Sequence, residues 1–204
     1  MEDKKSDWAF LERFQVENEL LKIEIDENCV VFIGDSIIAG WNNTSLFDEN
    51  THFINRGING QTTTQILHRF QQDVVDVNPK YVVVLVGTND IAENLGRISL
   101  EEIQSNFLSM IAVAKAHKIK IVFCSILPVA TYYWNPKIRP FEKIKTLNAF
   151  LASLPEDDNV FYLDFYSSLV KNDAMNELFT EDGVHPNANG YGVMSDILMQ
   201  SNYL

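Results

Sequence analysis

The chain has 204 residues, of which 46% are hydrophobic and 22% are charged, and its formal net charge is −12. This composition is typical of a globular protein with a sizeable core, and the length predicts a single domain over residues 1–204. An amphipathic pattern near the start predicts that residues 1–25 hold an N-terminal helix packed on this domain. The acidic balance argues against nucleic acid as a partner. No stretch approaches the roughly 18 apolar residues that span a bilayer, so no stable membrane insertion is expected.

The N-terminus and the cysteines bear on the cellular compartment. Residues 1–7 are charged and lack the apolar segment of a signal peptide, which predicts a cytoplasmic protein on the sequence as given. A secreted or periplasmic protein whose signal peptide had been removed would have the same sequence, so this alternative stays open. Cys29 and Cys124 lie in separate apolar runs, and we expect two buried thiols rather than a disulfide framework or a metal site.

The first half of the chain alternates between helical and extended patterns. Ser6 or Asp7 could cap the first helix, and Gly34 and Gly87 end the two most apolar runs. The predicted elements are, in order, an amphipathic helix over 8–22, strands over 29–33 and 53–54, a helix over 62–72 and a strand over 81–86.

The second half continues the alternation. Ser99 and Glu102 form a capping-box pattern, and Pro140 can open a helix after a loop rich in proline and aromatic residues. The predicted elements are a helix after Ser99, strands over 119–126 and 160–163, a helix after Pro140 and a helix over 187–200. This order predicts a three-layer α/β/α sandwich around a five-stranded parallel sheet.

Four short segments supply the groups that acyl transfer through a serine requires. They are Gly34-Asp35-Ser36, Gly57-Ile58-Asn59-Gly60, Gly87-Thr88-Asn89-Asp90 and Asp182-Gly183-Val184-His185. Because ligands of open parallel sheets bind beyond the carboxyl ends of the strands, we expect these segments to meet at one edge of the sheet.

Ser36, His185 and Asp182 are the candidate catalytic residues. A serine hydroxyl needs a base to take its proton, and His185 is the best candidate among the four histidines. Asp182, three residues earlier, could orient the imidazole and stabilise its charged form. The backbone N–H of Ser36, the backbone N–H of Gly60 and the side-chain amide of Asn89 are the candidate oxyanion donors.

Each segment also has an ordinary structural explanation. Gly-Asp-Ser after a strand could be a capped turn, Gly60 could serve a turn with positive φ, and Asn89 could belong to an Asx turn. Asp35 is expected to hold its turn in place rather than to react. The other three histidines are interpreted as surface or capping residues: His52, His68 and His117. The occurrence of all four segments together favours an enzyme.

The same segments resemble the blocks of the SGNH hydrolases, also called the GDSL-type esterase/lipase family. The Gly-Ile-Asn-Gly-Gln-Thr-Thr and Gly-Thr-Asn-Asp segments are most similar to the branch of platelet-activating-factor acetylhydrolases. Ile37 and Gln61 depart mildly from the family pattern. The related α/β-hydrolase elbow is excluded because Ile38 stands where its second glycine is needed.

The resemblance implies a flavodoxin-like fold and a serine ester hydrolase without a metal or organic cofactor. Its substrate would be a small-molecule ester with a short acyl group, acetyl above all, with an acetylated carbohydrate as one candidate. Trp41 and the aromatic loop at 132–134 could line the substrate pocket, or they could anchor the loop to the core. A lysophospholipase or thioesterase, a non-catalytic FMN-binding module and an inactive homologue remain alternatives. The sequence does not predict the oligomeric state.

Overall fold

The fold is described from a computed structural model that covers residues 7–24, 28–154, 158–201 and 203. Its central sheet has five parallel strands in the order β2-β1-β3-β4-β5. The strands are β1 (Val30–Gly34), β2 (Phe53–Gly57), β3 (Tyr81–Leu85), β4 (Lys120–Cys124) and β5 (Val160–Leu163). The predicted five-stranded parallel sheet is therefore confirmed, and its strand order is that of flavodoxin-like folds.

Helices cover both faces of this sheet, as predicted. They are α1 (Gln15–Glu24), α2 (Ser36–Trp41), α3 (Ser45–Glu49), α4 (Thr63–Phe70), α5 (Thr88–Ile91), α6 (Leu100–Ala116), α7 (Phe141–Ala152), α8 (Tyr166–Leu169) and α9 (Ala188–Gln200). A 3-10 turn, Leu11–Phe14, precedes α1, and a π-helical turn, Gln71–Val75, continues α4. A short antiparallel hairpin joins β6 (Val170–Lys171) to β7 (Ala174–Met175).

The strands alternate their side chains between two apolar clusters, one on each face. Val31 and Ile33 of β1 pack with α4, α6 and α7, whereas Val30 and Phe32 pack with α2, α8 and α9. The two cysteines are buried in different clusters and are not joined by a disulfide. Among the described residues, no helix combines the length and apolar character needed to cross a membrane.

The N-terminal helix begins later than the sequence pattern indicates. The pattern predicts a helix from Trp8, but Phe10 has a left-handed backbone with φ of 60°, so regular structure starts only at Leu11. Asp7 caps this start, since its carboxylate accepts hydrogen bonds from the N–H groups of Leu11 and Glu12 at 2.7 and 2.9 Å. The predictions that involve residues 1–6 and 25 lie outside the described residues.

Candidate active site

Three strands end at the same level of the sheet, and each leads into one of the singled-out segments. Gly34 at the end of β1 lies opposite Gly57 of β2 and Leu85 of β3. The residues that follow these strands therefore start from a common edge, as expected for an open parallel sheet. A Cβ on Gly34 would lie 2.1 Å from the carbonyl oxygen of Leu85, so only glycine fits where β1 leaves the sheet.

Ser36 is the first residue of α2, and Asp35 is its N-cap. The Asp35 carboxylate accepts a hydrogen bond from the N–H of Ile37 at 3.0 Å. The Ser36 N–H belongs to the first helical turn, whose N–H groups have no acceptor within the helix. The capped turn that the sequence offers for Gly-Asp-Ser is therefore present, and Ser36 begins the helix that follows it.

His185 lies between Ser36 and Asp182. Its Nε2 is 2.9 Å from the Ser36 Oγ, and its Nδ1 is 2.7 Å from Asp182 Oδ2. A carboxylate can only accept, so we assign the proton to Nδ1, which leaves Nε2 free to accept from the serine hydroxyl. The structure thus brings together the three side chains that the sequence singles out, in the order that general-base activation of a serine requires.

The turn that carries Asp182 and His185 is held by its own hydrogen bonds. Asp182 Oδ1 accepts from the N–H groups of Val184 and His185, both at 2.8 Å. Partial burial raises the pKa of Asp182, but the hydrogen bonds from His185 and Val184 outweigh it and lower the pKa to about 2. Thr180 was not singled out from the sequence, yet its hydroxyl donates to the His185 carbonyl at 2.7 Å.

The Asn89 amide bonds to the residues that adjoin the other two candidate donors, namely Asp35 beside Ser36 and Gln61 beside Gly60. Its Nδ2 donates to the Gln61 carbonyl at 3.1 Å and to Asp35 Oδ2 at 3.2 Å. Gly60 has a φ of +77°, and no atom lies within 4 Å of the place a Cβ would occupy. Its surroundings leave room for a ligand, although the positive φ alone would also account for a glycine at this turn.

Two buried carboxyls lie behind the site. Desolvation raises the pKa of Asp35 to about 7, although the Ile37 N–H and the nearby His185 act in the opposite direction. Desolvation also raises the pKa of Asp90 to about 6, against two hydrogen bonds from Thr63. Asp90 accepts from the Thr63 backbone N–H at 2.9 Å and from its hydroxyl at 2.6 Å, so it joins the start of α4 to α5.

The aromatic candidates for the pocket divide into two groups. Trp41 and Tyr132 are fully buried, which shows that they anchor the core rather than line an open pocket. Trp41 donates to Ser195 Oγ at 3.0 Å, and the Tyr132 hydroxyl is 3.0 Å from the Thr88 hydroxyl. Tyr133 and Trp134, by contrast, are 67% and 38% exposed and remain able to contact a substrate.

A groove of about 390 Å³ opens beside the imidazole, lined by Glu181, Asp182, His185, Pro186, Asn187 and Ala188. A larger depression of about 620 Å³ lies between α1 and the outer strand β2, and none of the candidate site residues lines it. Within the described ranges, no group of three or more His, Cys, Asp or Glu side chains is arranged to hold a metal ion.

Comparison with known proteins places the chain in one family. The model of the GDSL-like Lipase/Acylhydrolase family matches residues 32–193. A structure described as a putative acylhydrolase from Bacteroides fragilis is 41% identical, with a TM-score of 0.91 and coverage of 97% of each chain.

Two curated relatives match over shorter parts. The human platelet-activating factor acetylhydrolase IB subunit alpha2 is 29% identical over 171 residues, which are 79% of this chain and 70% of that protein. An uncharacterized lipoprotein, YqeF of Bacillus subtilis, is 37% identical over 83 residues, which are 39% of this chain. The chain thus spans only about a third of the length of YqeF, at 34%.

Proposed function

Because the chain belongs to the GDSL-like lipase/acylhydrolase family and is thereby an ester hydrolase, we propose that it cleaves short-chain esters, acetyl esters above all, through Ser36, His185 and Asp182. The observation that carries this proposal is the hydrogen-bonded series from Asp182 through the His185 imidazole to the Ser36 hydroxyl. Such a series activates a serine for nucleophilic attack at neutral pH.

The reaction proceeds in two halves. His185 Nε2 takes the proton from the Ser36 Oγ as that oxygen attacks the ester carbonyl, and Asp182 stabilises the imidazolium that forms. The imidazolium then gives its proton to the leaving alcohol, and the acyl group stays on Ser36. Water, deprotonated by the same imidazole, hydrolyses the acyl-enzyme and restores the serine.

The negative charge that develops on the ester oxygen needs donors fixed in advance. The Ser36 N–H, the Gly60 N–H and the Asn89 amide supply them in this proposal. Asn89 lies close to both other donors, because its NH₂ group bonds to Asp35 and Gln61, which adjoin Ser36 and Gly60 in the chain. An amide NH₂ group has only two hydrogens, so one of these bonds must give way when the oxyanion forms. Loss of one such donor typically lowers turnover by about 10²–10³-fold.

The acetyl preference rests on similarity to the platelet-activating factor acetylhydrolase relative. Tyr133 and Trp134 offer exposed rings that could receive the leaving alcohol, and aromatic rings stack on sugars as well as on apolar chains. An acetylated carbohydrate is therefore the first candidate substrate. Lysophospholipids and thioesters are the alternatives that a substrate panel distinguishes, and the cytoplasmic location stays a prediction.

Labelling by a fluorophosphonate tests the nucleophile. We expect the wild-type protein to be labelled and the Ser36→Ala variant to be unlabelled and inactive, because Ser36 carries the activated hydroxyl. Ser105→Ala, on an exposed position of α6, is the matched control and should label like the wild type. Persistent labelling of Ser36→Ala would show that the nucleophile is another residue.

A panel of p-nitrophenyl esters of graded chain length, followed by acetylated sugars, tests the substrate. We expect kcat/KM to be highest for the acetyl ester and to decline with acyl length. A preference for acyl chains of eight or more carbons would contradict the short-acyl proposal while leaving the triad intact.

A further inference from the structure

We infer that Asn94 is a positioning residue that holds the Asn89 amide in its oxyanion-binding orientation, and that Trp134 in turn holds Asn94. This inference rests on the proposed function, because the Asn89 amide has its catalytic role only there. It also gives the aromatic turn at 132–135 a second role besides any contact with the substrate.

Asn94 contacts Asn89 through both its side chain and its backbone. The Asn94 Nδ2 donates to Asn89 Oδ1 at 2.7 Å, and the Asn94 N–H donates to the Asn89 carbonyl at 3.0 Å. On its other side, Asn94 Oδ1 accepts from the Trp134 indole Nε1 at 2.9 Å. A continuous hydrogen-bonded series therefore joins the partly exposed indole to the candidate oxyanion amide.

The chemistry of the indole fixes the direction of this series. An indole N–H only donates, so the oxygen of Asn94 must face Trp134 and its NH₂ group must face Asn89. The oxygen of Asn89 then faces Asn94, which directs its own NH₂ group towards the opposite side. That side holds two acceptors, Asp35 Oδ2 and the Gln61 carbonyl, so both ends of the series select the same orientation. The two acceptors take both hydrogens of the NH₂ group in the free protein, and in this inference one of them passes to the oxyanion while Asn94 keeps the group facing that side.

The turn that carries Trp134 is attached to α5 and the segment after it. The buried Tyr132 places its hydroxyl 3.0 Å from the Thr88 hydroxyl, and the Asn135 amide donates to the Ala92 carbonyl at 3.0 Å. The rings of Tyr132 and Trp134 are in contact, with centroids 5.0 Å apart. Trp134 therefore meets Asn94 from a fixed support rather than from a loose loop.

A double-mutant cycle tests whether Asn94 acts through Asn89. We expect Asn94→Ala to lower kcat about 10-fold, a fraction of the loss of a whole donor, with little change in KM. In the Asn89→Ala background the same change should cause no further loss, because the group that Asn94 positions is already absent. Trp134→Phe should lower kcat by a smaller factor, since the acceptors of Asn89 remain.

Arg97→Ala is the control, because Arg97 lies in the same exposed segment with a side chain that is 91% exposed. It should retain the wild-type kcat. If Asn94→Ala unfolds, Asn94→Asp provides the second test, because it keeps an acceptor for Trp134 and replaces the donor to Asn89 by a carboxylate oxygen, which can only accept. A melting temperature near that of the wild type with a lowered kcat is the expected result.

Two results would overturn the inference: an unchanged kcat in folded Asn94→Ala and Asn94→Asp, or a loss in the double variant equal to the product of the single losses. A fully active Asn89→Ala variant would refute both the inference and the oxyanion-binding role of Asn89. Labelling of Ser36 would still support Ser36 as the nucleophile in that case. Failure of the wild-type protein to hydrolyse any ester on the panel would instead refute the proposed function and, with it, this inference.

Discussion

Asp35 holds the residues around the nucleophile in place through both of its carboxylate oxygens. Oδ1 accepts the N–H of Ile37 at the start of α2, and Oδ2 accepts from the Asn89 amide. The side chain is completely buried, which raises its pKa to about 7 despite the hydrogen bond from Ile37. Asp35 thus has the structural role predicted for it, and its carboxyl also loses its proton within the physiological pH range.

This titration predicts how stability depends on pH. An unfolded Asp ionises near pH 4, whereas folded Asp35 keeps its proton up to about pH 7, so between these values the unfolded state binds fewer protons. The contribution of Asp35 to the free energy of unfolding therefore falls as pH rises from about 4 to 7. In Asp35→Asn this contribution is absent, and its stability should decline less over that range.

Urea denaturation of both proteins at several pH values in this range measures the effect. Asp90, whose pKa is also raised by burial, titrates in both proteins, so the difference between the two curves reports Asp35 together with its electrostatic coupling to Asp90 and His185. Parallel stability curves for the variant and the wild type would contradict a raised pKa at Asp35.

At the scale of elements, the edge strand β2 and the helix α2 approach too closely for a side chain between them. A Cβ on Gly57 would lie 2.2 Å from the backbone nitrogen of Ala39. We expect Gly57→Ala to reduce the free energy of unfolding by at least about 1–3 kcal/mol, because backbone atoms must shift to relieve the overlap. Thermal denaturation checks this value.

Gly192 is the matched control, since it lies in α9 and a Cβ added there would have no atom within 4 Å. Gly192→Ala should stabilise the protein by up to about 1 kcal/mol, because alanine favours a helix more than glycine does. A similar loss of stability in both variants would mean that close packing is not what selects Gly57.

Elements with strong local signals were predictable from the sequence, and the short helices were not. The capping box at Ser99 and the apolar run of β5 give elements that match the structure closely. The helices α3, α5 and α8 have only four or five residues, too few to show a periodic pattern.

In the candidate site, a contact within one turn was predictable from the sequence, whereas contacts made by distant residues were not. The spacing of Asp182 and His185 within one turn pointed to their contact, because three residues are enough to join a carboxylate to an imidazole. The sequence did not reveal the link from Trp134 through Asn94 to Asn89, because Trp134 lies 40 positions from Asn94 and reaches it only through tertiary packing. It also could not decide whether Trp41 faces the core or a pocket.

Over the whole molecule, a buried polar network extends from the N-terminal helix towards the candidate site. Asn18 of α1 donates to Asp73 at 2.7 Å, and Asp73 pairs with Arg69 at 2.8 Å. Arg69 in turn donates to the side-chain oxygen of Gln61 at 2.6 Å. Buried charges of this kind need complete pairing, so the network ties α1 firmly to the rest of the chain and supports the proposal of a single domain.

Gln61 connects this network to the oxyanion donors. Its side-chain NH₂ group donates to the Ala9 carbonyl at 2.8 Å, and its own carbonyl accepts from the Asn89 amide. The residue is completely buried and directly follows Gly60. A position that departs only mildly from the family pattern is therefore a junction between the N-terminal segment, Arg69 and the candidate site.

Replacing this junction should affect both stability and turnover. Gln61→Leu leaves the Arg69 Nε–H and the Ala9 carbonyl buried without partners, at a cost of about 1–3 kcal/mol for each. Because the same loop carries Gly60 and accepts from Asn89, we also expect kcat to fall by more than KM changes. Urea denaturation and steady-state kinetics with the acetyl ester measure the two effects.

Gln72→Leu separates the two causes, because Gln72 also binds the N-terminal segment, through the Leu11 carbonyl at 2.6 Å, and its other side-chain hydrogen bond goes to Asp73 at 3.3 Å. It should lower stability while leaving kcat near the wild-type value. If Gln72→Leu lowered kcat as much as Gln61→Leu does, loosening of the N-terminal segment would explain the loss, and Gln61 would have no separate role in holding the oxyanion donors.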